Sequence, residues 1–203
     1  MLLFALFAVG VGLCVEGQTT ELVKNQTSDK IYNNTLAVVH RRSPLHLLWY
    51  SYRLKSNLNL CLMSQFLKRE TNGARRTLET NGKDPEQRTK NNITISLTKN
   101  PDSPNLKIEG IGGRLHGKWN DEHDVSYSTK NCFVLEAVIA PHKKPYCVVW
   151  GSRDAKERCF WKAKQSCESG TKVNLAQCAD EKKNSKKQTT ELPPNEDTTV
   201  PEC

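Results

Sequence analysis

Residues 127–178 read YSTKNCFVLEAVIAPHKKPYCVVWGSRDAKERCFWKAKQSCESGTKVNLAQC. Two segments of this stretch alternate with a period of two. In NCFVLEAVIA (residues 131–140), Phe133, Leu135, Ala137 and Ile139 share one face and Glu136 takes the other. In PYCVVWGS (residues 145–152), Tyr146, Val148 and Trp150 share a face. Successive side chains of a strand point to opposite faces, so each segment reads as a strand with one apolar side. The next segment, RDAKERCFWKAKQSCE (residues 153–168), loses that rhythm. Its Ala, Lys and Arg favour a helix, and Ser169-Gly170 supplies the stop. The stretch therefore predicts two strands joined by a turn, then one helix.

The same rhythm extends upstream. LHLLWYSYRL (residues 45–54) and NLCLMSQFL (residues 59–67) read as strands. NITISLTK (residues 92–99) puts Ile93, Ile95 and Leu97 on one face and Asn92, Thr94, Ser96 and Thr98 on the other. Residues 105–113 follow a Pro-Asp-Ser-Pro turn, and residues 114–119 and 122–129 complete the series. Seven or eight strands at roughly ten-residue spacing, followed by one late helix, predict an all-β up-and-down barrel or a sandwich. A barrel of eight strands encloses space for one small ligand.

The flanks set the compartment. Residues 1–17, MLLFALFAVGVGLCVEG, carry a short apolar run ending in small residues. They read as a secretory signal peptide cleaved near Gly17. Three Asn-x-Ser/Thr sequons, at Asn25, Asn33 and Asn92, agree with secretion. Cleavage removes Cys14 and leaves Cys61, Cys132, Cys147, Cys159, Cys167, Cys178 and Cys203. Their gaps of 71, 15, 12, 8, 11 and 25 positions contain no close pair of the kind zinc sites use, so they read as disulfides and no metal is expected.

Residues 18–44 form a polar N-terminal segment, residues 45–178 the barrel plus helix, and residues 179–203 a tail. That tail has no aromatic residue, three Pro and charges of both signs, and reads as disordered. The whole chain has 30 Lys+Arg against 22 Asp+Glu; residues 18–179 hold 26 of the basic and 15 of the acidic residues. The net positive charge therefore belongs to the folded part. Apolar content of 36% and a mean hydropathy of -0.64 exclude an integral helical membrane protein.

Residues 127–178 resemble the tick salivary lipocalins, the group that includes histamine-binding proteins. An aromatic-led strand, a Cys on the next strand, then Cys-Val-Val-Trp and three further Cys carry the likeness. LWYSYRLKSNLNLCLMS (residues 48–64) resembles the family's first-strand segment. The resemblance implies an eight-stranded antiparallel barrel with a C-terminal helix packed outside. It also implies the pairs Cys61–Cys178, Cys132–Cys159 and Cys147–Cys167, although six Cys alone permit 15 connectivities.

The sequence departs from the amine-binding members of that family. These carry acidic residues at the positions aligned with Phe133 and Val148. An apolar wall there would strip a protonated amine of its hydration with nothing in return. The expected ligand is therefore an apolar or acidic lipid, a small hydrophobic or amphipathic host mediator. Trp49, Tyr127, Phe133, Val148 and Trp150 are the expected walls, and Arg53, Arg114 and Lys118 the expected partners of an acidic head group.

No catalytic motif is present and no cofactor is expected. The segment HGKWNDEHD (residues 116–124) reads as a solvated loop rather than a metal site. A host protein bound on the outer surface is the alternative partner, with His40-Arg41-Arg42, Lys68-Arg69 with Arg75-Arg76, and Lys143-Lys144 as the basic patches. Nucleic acid and membrane partners are not expected, and the chain is expected to be a monomer.

Overall fold

The computed structural model describes residues 26–113, 115, 119, 121–137 and 144–179. The segment read as a signal peptide, Asn25, Arg114, Lys118, Lys143 and residues 180–203 lie outside the described residues.

The chain runs α1 (Ser28–Val39), β1 (Leu45–Ser51), β2 (Leu62–Ser64), β3 (Phe66–Glu70), β4 (Gly73–Thr80), β5 (Lys90–Thr98), β6 (Asn105–Gly110), β7 (Glu122–Ser128), β8 (Cys132–Ala137), β9 (Tyr146–Gly151), α2 (Arg158–Ser166) and β10 (Gly170–Lys172). Each neighbouring pair is antiparallel, and β1 pairs with both β2 and β9, which closes the sheet on itself. Both β2 and β3 pair with β4, so they act as one strand interrupted at Gln65. Counted so, the barrel has eight strands, with α2 packed outside. Closure leaves few free sheet edges to recruit other chains. Outside this ring, β10 adds to β1 through Trp49↔Lys172, Tyr50↔Thr171 and Ser51↔Gly170. A side chain at Gly170 would overlap the Tyr50 carbonyl and the Trp49 ring, so only glycine lets β10 approach β1.

Three elements depart from the sequence reading. Helix α1 falls within the polar segment, where no helix is expected. Its buried positions Ile31, Thr35, Val38 and Val39 follow helical spacing, and Thr27 caps it by accepting from the Lys30 amide. Polar Asn33 and Asn34 interrupt that stripe in the sequence. Strand β4, GARRTLET, is also unexpected, because Arg75-Arg76 hides its alternation. Of residues 114–119, read as a strand, the described Leu115 and Trp119 lie outside any strand.

The helices cover different surfaces. Ser128 Oγ donates to the Ile31 carbonyl at 2.8 Å, and Asn34 Nδ2 to the Ser128 carbonyl at 3.2 Å. His40 Nε2 lies 2.7 Å from the Gly73 carbonyl. These bonds join α1 to the end of β7 and the start of β4, so α1 closes one end of the barrel. Ile31, Val38 and Val39 enter the lumen core with Leu45, Leu47 and Leu97. Each such burial contributes about 1.5–3 kcal/mol.

Helix α2 instead covers the outer wall. Cys159, Phe160, Ala163 and Cys167 pack on Leu48, Trp49, Cys132, Val134, Cys147 and Val149. Cys132–Cys159 ties β8 to the first turn of α2, and Cys147–Cys167 ties β9 to its end. Cys61–Cys178 joins the start of the β2 segment to the C-terminal end of the described chain.

Candidate functional site

The lumen is the candidate site. Its lining comes from nearly every strand: Leu45, Leu78, Ile93 and Ile95 on one side, Leu106, Ile108, Leu135 and the Phe133–Trp150 pair on the other. Ile93 and Ile95 face inward because β5 keeps a strict period of two across Ile93, Ile95 and Leu97. Across β8 and β9 the register pairs Phe133 with Trp150 and Leu135 with Val148, and all four belong to the lumen core. The cavity these walls line has a volume of about 20 Å³. That is room for about one water molecule.

The lining carries little polarity. Ser64 is its one hydroxyl, and it accepts from Arg76 Nε at 3.0 Å. The indole Nε1 of Trp150 is buried and has no hydrogen-bond acceptor among the described residues. No Asp or Glu is among the lining residues.

Arg76 lies at the closed end. It is fully buried, yet all of its N–H groups are engaged. Nε bonds Ser64 Oγ; Nη1 donates to the carbonyls of Val39 and Arg41 at 2.9 and 2.7 Å; Nη2 donates to those of Ser43 and Ser64 at 3.3 and 2.8 Å. The guanidinium stands 5.8 Å from the centroid of the Phe66 ring. Burial lowers its pKa to about 10, which leaves it charged at neutral pH. It is a fastener between α1, β2 and β4 rather than a ligand group.

The opposite end is the mouth. Leu54, Leu58, Leu60 and Val173 pack there, half-buried, against the lumen core. Trp119, also half-buried, meets Trp150 edge-on at 5.9 Å between centroids.

The expected site residues divide between three places. Phe133, Val148 and Trp150 stand in the lumen core. Arg53 does not lie on a strand, because β1 ends at Ser51. It sits exposed in a 3-10 turn (Tyr52–Asn57) at the mouth, where Nη1 donates to the Tyr146 hydroxyl at 3.1 Å. Trp49 and Tyr127 belong to the outer cluster beneath α2, not to the lumen. The cause is a bulge on each strand. The register slips between Leu47 and Trp49 on β1 and between Val125 and Tyr127 on β7. One extra residue inverts every side chain that follows. Burial beneath the helix raises the Tyr127 phenol above its ordinary pKa.

Leu78 is a lumen residue that the sequence reading missed along with β4. Of the segment read as a solvated loop, Glu122, His123 and Asp124 fall on β7. Glu136, Cys147 and Cys167 lie close enough together for a metal, but both sulfurs are consumed in one disulfide and offer no thiolate.

No protein-family model matches the chain, and no curated protein matches it. Among solved structures, the chain is similar to Japanin from Rhipicephalus appendiculatus bound to cholesterol, with a TM-score of 0.49 and 14% identity over 71% of this chain and 97% of that one.

Proposed function

We propose that this protein is a secreted lipocalin of the tick salivary type that sequesters a small host mediator in its barrel. The mediator is an apolar or acidic lipid rather than a biogenic amine. One observation carries the ligand class: the cavity lining is apolar and holds no carboxylate to receive an ammonium. An uncompensated charge in such a wall costs several kcal/mol. The external helix and the three bridges support the family reading.

A lipid needs a few hundred Å³, far above the volume of this cavity. Uptake therefore requires the mouth to rearrange around Trp119 and the neighbouring leucines. An acidic head would remain at the rim beside Arg53, with its tail along Val148 and Leu135.

Native mass spectrometry of the secreted, deglycosylated protein tests this. The panel holds histamine, serotonin, arachidonic acid, a leukotriene and cholesterol. A lipid adduct without an amine adduct is expected; a histamine adduct would overturn the ligand class.

A second reading is favoured by the packing of the lumen itself. The small volume of this one cavity, about 20 Å³, suits a protein that binds a host protein through its outer surface. Absence of every adduct from that panel, with capture of a host plasma protein, would replace the first reading by this one.

A further inference from the structure

We propose that the β3–β4 hairpin and residues 40–43 together form a binding site for a sulfated polysaccharide. The sequence separates three basic clusters, and the fold brings them to one place. His40 Nε2 bonds the carbonyls of Glu70 and Gly73 at the hairpin turn. The Arg76 guanidinium bonds the carbonyls of Arg41 and Ser43. Residues 40–43 are thus fixed against both the tip and the base of the hairpin. Arg76 itself is spent inside, which leaves Arg42, Lys68, Arg69 and Arg75 exposed on the surface.

The ladder sharpens the case. Lys68 stands directly opposite Arg75, beyond a bulge at Leu67. Like charges directly opposed across an exposed strand pair are destabilising, so folding alone does not favour this choice. Glu70 is the sole acidic residue in residues 40–43 and 66–76, and it bonds Arg75 Nε at 2.9 Å. One carboxylate meets four exposed cations, and the excess charge awaits an external partner. Outside the β-ring path, β3 pairs only with β4, so the hairpin is reachable along its outer edge.

The chemistry of the ridge selects the partner. Protein interfaces draw their energy from aromatic and apolar anchors. Here the exposed apolar side chain is Leu67 alone, and Phe66 is turned toward Arg76. Bases of nucleic acid need exposed aromatic faces to stack on, which the ridge lacks. Lys68 and Arg75 share the outer face of the hairpin and Arg69, opposite Ala74, takes the other; such arginine forks and a lysine match the repeated anionic oxygens of sulfate esters, as they match phosphate. The ridge lies at the α1 end, away from the mouth, so occupancy does not require an open lumen.

The test is titration calorimetry of the full secreted protein with a heparin dodecasaccharide at about 0.15 M salt. Three proteins are compared: wild type, R42Q/K68Q/R69Q, and K83Q/K156Q/K164Q, whose exposed lysines lie outside the ridge. The ridge variant is expected to lose about tenfold in affinity and to show a shallower salt dependence, while the control loses less than about threefold. The single variant K68E, which places an opposite charge across from Arg75, is expected to weaken binding without lowering the melting temperature. Absence of wild-type binding, or equal losses in the two triple variants, would overturn the proposal.

Discussion

Trp119, from the loop between β6 and β7, meets Trp150 of β9 edge-on, with ring centroids 5.9 Å apart and planes at 77°. Trp150 lines the cavity, so this contact joins the mouth to the lumen. An edge-to-face pair is worth about 0.5–1.5 kcal/mol beyond its burial.

Replacing Trp119 with Ala is therefore expected to open the lumen at a modest cost in stability. Association of 1-aminoanthracene, followed by stopped-flow fluorescence, should become faster in W119A than in wild type. Equal rates in the two proteins would show that ligands pass elsewhere.

Trp150 also supplies the prediction about ligand polarity. Its buried Nε1–H lacks an acceptor among the described residues, and leaving a buried donor unmade costs about 1–3 kcal/mol. A ligand carrying one acceptor gains from this group, and a hydrocarbon does not. Undecan-2-one is expected to bind roughly three- to tenfold more tightly than undecane. The variant W150F keeps the apolar ring, removes the donor and should abolish the preference. Equal affinities in wild type would sink this assignment.

The strands were legible where the period of two ran unbroken. Ile93, Ile95 and Leu97, and the facing pairs Phe133–Trp150 and Leu135–Val148, lie where alternation puts them. The reading failed at single residues. One bulged residue on β1 and one on β7 turned Trp49 and Tyr127 outward, and no composition signal marks either bulge. Arg76 hid β4 because a buried arginine imitates a solvated one in sequence. Only its carbonyl partners, contributed by residues 39 to 64, distinguish the two cases. Arg53, read as part of the first strand, lies instead in the 3-10 turn after it, because β1 stops two residues before it.

The bridges give a graded prediction. Cys61–Cys178 spans 117 residues, whereas Cys147–Cys167 spans 20. Cross-linking a longer loop removes more entropy from the unfolded chain, by about 1.5 kcal/mol between these two lengths. Urea unfolding of C61S/C178S should therefore show the larger loss of stability, and C147S/C167S the smaller. The reverse order would mean that anchoring α2 on the outer wall outweighs chain entropy.

Arg76 is the group on which the closed end depends. Its five N–H groups make five hydrogen bonds, to Ser64 Oγ and to the carbonyls of Val39, Arg41, Ser43 and Ser64. Methionine fills similar space but leaves those acceptors without a donor, and R76M is expected to lose about 3–5 kcal/mol. R76K keeps the charge yet offers three donors without the fork, so it should lose an intermediate amount. Equal stability of R76K and wild type would assign the role to charge alone. The pH dependence follows from the pKa, lowered by burial to about 10 from the higher ordinary value of an arginine. Below about pH 10 the group is protonated in both the folded and the unfolded chain, so its contribution does not change with pH. Above that point the folded state releases the proton first, and rising pH favours folding through this group. The stability difference between wild type and R76M should therefore stay flat from about pH 6 to 9. A slope in that window, measured by denaturant titration, would mean that another ionisable group is coupled to Arg76.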